Sequence, residues 1–145
     1  MRITRYTDYS LRTLIYVALK GQEVSTIREI AESYDISKSH LMKVVQELNN
    51  KGYLQAVRGK NGGLRLNGKP EDINIGKVIR EIEQDFALME CFGGGGCNLN
   101  PACRLKGLLH KALDAFFAVL DSYTLADLIP EASRREFIRL LDIAV

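Results

Sequence analysis

The sequence predicts a mainly α-helical fold that carries one small β-hairpin, and three observations point there. Apolar residues recur at helical spacing over most of the 145 residues. From Tyr53 to Leu66 the pattern changes to two short extended runs around Gly59-Lys60-Asn61-Gly62-Gly63, and an Asn-Gly pair between such runs is a hairpin signal. The only three cysteines fall in one glycine-rich loop, Cys91, Cys97 and Cys103, spaced C-x5-C-x5-C between two helical stretches.

From Asp8 to Lys20, Leu11, Leu14, Ile15, Ala18 and Leu19 share one helix face, and Gly21 follows as a stop. Ser25 or Thr26 caps a short second helix with Ile27, Ile30 and Ala31 inward; Thr26-Ile27-Arg28-Glu29 fits a capping box, with Ser25 competing. Tyr34-Asp35-Ile36 makes a brief turn. Ser37 then caps a third helix to about Asn50, with Leu41, Val44, Val45 and Leu48 on its apolar side and Gly52 ending it. Two short helices joined by a tight turn form a helix-turn-helix, whose second helix enters the major groove of DNA. A basic, glycine-rich hairpin directly after it is the wing of a winged helix, so residues 1–69 are expected to be a winged helix-turn-helix DNA-binding domain.

The expected DNA-binding set follows from that placement. Ser37, Lys38, Ser39, His40, Lys43 and Gln46 lie at the start or on the outward side of the third helix, with Glu47 beside them, and residues nearest the helix start reach base edges best. Arg58, Lys60, Asn61 and Arg65 flank the hairpin tip, where cations suit phosphates or the narrow minor groove. A solvated helix face is the competing reading for any one of them. Charge agrees with the set as a whole. Residues 1–70 hold 12 Lys and Arg against 6 Asp and Glu, whereas residues 71–145 hold 8 against 12. A basic half joined to an acidic half suits one lobe meeting a polyanion.

Lys69-Pro70 is the expected joint, and residues 70–145 are expected to carry the cysteine loop and dimerisation helices. Asn74 caps a helix with Val78, Ile79 and Ile82 on one face. After the cysteines, Pro101 is expected to open a long helix to about Ser122. Leu105, Leu108, Leu109, Ala112, Leu113, Phe116, Val119 and Leu120 make it one continuous apolar stripe. So small a domain has little core to cover that stripe, which points to a homodimer; half-site recognition by helix-turn-helix dimers fits. Leu125–Ile129 and Phe137–Leu141 read as shorter helices completing or swapping into that interface.

An odd cysteine count argues against a disulfide framework. Thiolates are soft ligands for iron or zinc, and five-residue gaps are wide for structural zinc, whose paired ligands lie two to four apart. Gly93–Gly96 lets the backbone fold around a bulkier guest such as an iron–sulfur cluster, and three thiolates leave a fourth ligand to come from elsewhere. A thiol- or zinc-based redox-sensing DNA-binding regulator is the alternative. An enzyme is not expected: His40 belongs to the DNA face, and His110 lies two turns past Cys103. There is no run of about 18 apolar residues and no apolar leader after Met1, so a cytoplasmic protein without a membrane partner is expected.

Taken together, the residues resemble the iron–sulfur winged-helix transcriptional regulators of bacteria (IscR/NsrR-like), in particular the nitric-oxide-sensitive branch. The resemblance is carried by Thr7-Asp8-Tyr9 with Leu11-Arg12, by Ile36 to Val44, by Ala56 to Leu66, by Ile75-Gly76-Lys77-Val78, by Pro101 to Lys106 and by Tyr123 to Leu128. It implies a homodimeric repressor on double-stranded operator DNA, with Cys91, Cys97 and Cys103 holding an iron–sulfur cluster. A 4Fe–4S cluster is favoured, and 2Fe–2S forms also belong to the family. Members of the IscR type carry a histidine ligand three residues after the third cysteine; Lys106 stands there and cannot serve. Nitric-oxide-sensitive members use an aspartate near the start of the first helix, donated across the dimer. Asp8 matches that position, its alternative role being to complement the helix dipole. Nitric oxide as effector, releasing the repressor from DNA, is what the resemblance implies.

Overall fold

The computed structural model describes residues 1–144. Within them, α1 (Arg5–Lys20), α2 (Ile27–Tyr34) and α3 (Lys38–Asn50) precede a hairpin of β1 (Leu54–Val57) and β2 (Gly63–Leu66). There follow α4 (Ile75–Ile82), α5 (Leu105–Asp121), α6 (Leu125–Leu128) and α7 (Glu131–Leu140).

α1 begins earlier than the expected Asp8. Thr4 caps it, its Oγ1 accepting from the backbone N–H of Thr7 at 3.3 Å. α2 has the full capping box: Glu29 N donates to Thr26 Oγ1 at 3.1 Å and Thr26 N donates to Glu29 Oε2 at 2.7 Å. Ser25 loses that competition because its backbone is already committed to the wing, exchanging hydrogen bonds of 2.9 and 2.7 Å with Leu64. Asp35 takes a left-handed conformation (φ 53°) to close α2. Ser37 then caps α3, accepting from His40 N at 3.2 Å.

β1 and β2 pair antiparallel from Leu54↔Leu66 to Val57↔Gly63. At Gly63 a side chain would collide with the carbonyl of Ser25, so glycine there is what lets the wing lie against the segment before α2.

One core runs through the whole chain. Leu14, Val17 and Leu19 of α1 and Leu41, Val44 and Leu48 of α3 belong to the same buried cluster as Ile75, Val78 and Ile79 of α4 and Leu125 of α6. The division at 69/70 is therefore one of proposed roles, with no break in the core.

The long helix departs from expectation. It begins at Leu105, not Pro101. Residues 97–102 instead form consecutive turns, closed by Asn100 N to Cys97 O and Ala102 N to Leu99 O, each 3.0 Å, so Cys103 stays in the loop. At its other end α5 is latched to α4. Arg80 forms a two-pronged ion pair with Asp121 and lies over the Phe117 ring at 4.3 Å. Gly76 touches the Asp121 carboxylate so closely that a Cβ would displace it. α7 is longer than the expected Phe137–Leu141. It docks on the first half of the chain through Arg134 Nη2 to Leu19 O at 2.6 Å, and through Ser33 Oγ to Leu141 O at 2.8 Å.

Candidate nucleic-acid interface and cysteine loop

α3 turns its apolar side inward, which leaves Lys38, Ser39, Met42, Lys43, Gln46 and Asn49 exposed on the other. Ser37 is exposed at the cap, and Arg58, Lys60 and Asn61 are exposed at the wing tip. Arg65 is half-buried in β2, with its Nε enclosed and without a hydrogen-bond partner among the described residues. His40 differs from the rest of the expected set: it is half-buried and packs edge-on against Tyr9, ring centroids 5.0 Å apart. Tyr6 Oη also donates to the backbone carbonyl of Lys43 at 3.0 Å. Two tyrosines of α1 thus grip the recognition helix from behind.

Asp8 lies on the same helix, between those tyrosines. Its carboxylate is held by Arg12 in a two-pronged pair, Nε to Oδ1 and Nη2 to Oδ2 both 2.9 Å, with both side chains 43% exposed. An exposed i,i+4 pair of this kind is worth at most about 1 kcal/mol, so Asp8 is cheaply released. Arg12 is itself fixed by its backbone carbonyl, which accepts from Tyr34 Oη at 3.1 Å. Burial pushes the Tyr34 hydroxyl up to about 12, so it is a permanent donor at any physiological pH.

The cysteine loop leaves α4 at Glu83. This carboxylate, 8% exposed, accepts from Thr4 N at 3.0 Å, Thr4 Oγ1 at 2.9 Å and Thr7 Oγ1 at 2.6 Å. Burial raises its pKa, but the hydrogen bonds from Thr7 and Thr4 outweigh burial and hold it below the ordinary carboxylate value. The stem of the loop is thereby riveted to the first turn of α1.

Beyond the stem, Glu90–Gly93 forms one 3₁₀ turn, ended by Gly94 at φ 87°. All three cysteines are free; Cys91 and Cys103 are half-buried and Cys97 is exposed. Phe92 stacks face-to-face on His110 of α5, centroids 4.0 Å apart, which pins the loop's first arm to the long helix. Among the described residues, no three Cys, His, Asp or Glu side chains gather into a metal site, so the single chain brings neither the cysteines together nor Asp8 to them. The donor chemistry nonetheless suits a cluster: three unpaired thiols on one loop, with open space around the backbone of Gly93, Gly94 and Gly96 for it to close.

Sequence reasoning missed Glu83, Thr4 and Thr7, whose contact spans 76 to 79 residues. The Thr4-x-x-Thr7 spacing is a capping signal that carried part of it. It also missed Met42, an apolar residue out of phase with the buried stripe of α3.

The rest of α5 is unlike a core helix. Only Phe117 is buried, while Leu105, Leu108 and Val119 are exposed. No helix of the described residues is long and apolar enough to cross a membrane.

A family model described as Rrf2, iron-dependent transcriptional regulator, matches residues 3–131. The chain is 56% identical over 132 residues to the HTH-type transcriptional regulator NsrR of Bacillus licheniformis, covering 89% of this chain and 92% of that one. It is 49% identical over 144 residues to NsrR of Bacillus subtilis, 97% of each chain. Among solved structures it is similar to CymR, the global cysteine regulator of B. subtilis, with TM-score 0.74 and 31% identity over 88% of this chain and 95% of that one. It is also similar to T. potens IscR, with TM-score 0.76 and 25% identity over 94% and 91%. The helix-turn-helix with its basic wing, the free thiols and these likenesses agree: the chain is a transcriptional regulator, not an enzyme, and belongs to the Rrf2 family of iron-dependent regulators.

Proposed function

We propose that the chain is a homodimeric, nitric-oxide-responsive repressor, in which an iron–sulfur cluster on Cys91, Cys97 and Cys103 sets the grip of the winged helix on operator DNA. Asp8 of the partner subunit is the proposed fourth ligand, and a 4Fe–4S cluster is the favoured form. The observation that carries the reading is the continuous path from loop to recognition helix. Glu83 ties the loop stem to the first turn of α1, and Tyr6 and Tyr9 of that turn and the next tie α1 to Lys43 and His40 of α3.

When bound, such a cluster offers iron atoms that nitric oxide attacks. The chain's own residues do the rest. Three thiolates hold the group, and a hard carboxylate in fourth place holds one iron less firmly than a thiolate would. Arg12 holds the Asp8 carboxylate at the surface in an exposed ion pair. The exposed Leu105, Leu108 and Val119 of α5 supply an apolar seam for the second subunit. Ser39 and Gln46 address base edges, Lys38 and Lys43 address phosphate or guanine, and Arg58, Lys60, Asn61 and Arg65 address the backbone. A shift of the loop stem would reach α3 through α1, and an effector would act by binding one placement of α1 against α3 better than another.

Native mass spectrometry of anaerobically purified protein, before and after nitric oxide, tests the reading alongside a DNA-binding titration. The expected result is a dimer with iron and sulfide bound, nitrosylated products on exposure, and weaker binding in step with them. A colourless dimer whose thiols bind only zinc, or whose DNA affinity ignores nitric oxide, would overturn it.

A further inference from the structure

We infer that Met42 is a specificity residue of the recognition helix, and that it reads the C5-methyl group of thymine in the major groove. The inference rests on the winged-helix reading above and deepens it. Met42 is the one large apolar side chain that α3 points outward, 53% exposed. It sits one turn in from the helix start, between Ser39 and Gln46 on the same stripe, with Lys43 beside it.

An isolated exposed apolar residue needs no explanation. Met42 is not isolated. It lines a shallow apolar groove between α3 and the wing, together with Ala56 of β1 and the edge of Leu64, and the polar rim of that groove is Ser39, Gln46 and Asn49. Lys43 itself lines the groove, and the same two elements carry further exposed cations, Lys38 on α3 and Arg58 and Lys60 on the wing. Such a rim draws a polyanion over the groove. The only apolar group a polyanionic duplex presents in its major groove is the thymine methyl. Methionine is unbranched and polarizable, so it can follow a methyl whose position varies with local groove shape. Ser39 and Gln46, one turn to either side, would then address the neighbouring bases by hydrogen bonding, which gives the stripe alternating polar and apolar readers.

The test removes the methyl alone. A duplex selected by the protein from a random-sequence library is resynthesised with deoxyuridine replacing each thymine in turn, symmetrically in both half-sites. Binding is measured for wild type, Met42→Ala and Met42→Leu, with cluster-loaded and cluster-free protein in parallel. One position should weaken wild-type binding by about fourfold per methyl removed, the effect of unburying one methyl-sized group. Met42→Ala should bind the thymine duplex more weakly and lose its sensitivity to uracil there, and Met42→Leu should keep part of it. Wild type indifferent to every replacement, or Met42→Ala showing the full uracil penalty, overturns the inference while leaving the winged-helix reading intact. Failure to enrich any sequence removes that reading and the inference with it.

Discussion

Glu83 shows how much one side chain can hold. It is the last residue before the cysteine loop, yet its three hydrogen bonds end on α1. Removing it strands the buried Thr7 hydroxyl and leaves the exposed Thr4 groups to water, so Glu83→Ala should cost about 1–3 kcal/mol, read as a lower denaturation midpoint in urea. The pH dependence has a definite sign. The folded pKa lies below the unfolded one, so this stabilisation is complete above the unfolded value and is lost as pH falls through the folded value. Wild type should therefore lose more stability than Glu83→Gln on going from neutral pH into the acid range below the ordinary glutamate pKa. Parallel losses in the two proteins would mean that the carboxylate charge is not what the threonines recognise. The role of Glu83 was not legible in the sequence, because contacts spanning 76 to 79 residues leave no local trace; the Thr4 cap is local, and passing over its Thr4-x-x-Thr7 spacing misplaced the helix start.

At the scale of elements, the sequence was most informative where local physics decides. The Thr26-x-x-Glu29 box, Ser37 before α3, Asn74 before α4 and the Asn61-Gly62 turn each rest on contacts within a few residues, and each lies where the pattern put it. It was least informative at α5, where Pro101 looked like a helix opener but sits inside a turn closed by Ala102 N to Leu99 O. The apolar stripe of α5 is divided: Leu113, Phe116 and Leu120 pack on the core, while Leu105, Leu108 and Val119 stay exposed. Leu108 is 63% exposed, so Leu108→Arg should leave the monomer fold intact while abolishing the dimer, read as a halved mass by light scattering. An unchanged dimer would move the interface off this helix. The loop makes the complementary prediction. Since Cys91, Cys97 and Cys103 stand outside the core, alanine at each should remove iron and sulfide without lowering the thermal midpoint of the cluster-free protein. Full iron retention in all three variants would displace the cluster from this loop.

Across the whole molecule, the basic half carries its exposed cations on α3 and the wing, and Lys38 and Lys43 line grooves that α3 shares with the hairpin. If those cations meet phosphates, Lys43→Ala and Arg58→Ala should weaken DNA binding across sequences, and each lost contact should reduce the salt slope by about 1. The cluster's absorption spectrum should not change. Affinity and slope unaltered in both variants would place the DNA elsewhere. The position of α1 has a further consequence, for how such regulators diversify. α1 packs on α3, α4, α6 and α7 at once, so a chimera joined at residues 69 and 70 would cut through its own interior. A cassette of residues 26–66 leaves α1 with the sensing half but cuts the same core, so it must restore the packing of α3 and β2 on α1 and the contacts made with Tyr6, Tyr9, Arg12 and Leu141. Within that cassette the outward stripe of Ser39, Met42, Gln46 and Asn49 touches none of those seams. If that stripe meets base edges, point substitution there would retarget new promoters while the wiring behind the helix is inherited unchanged.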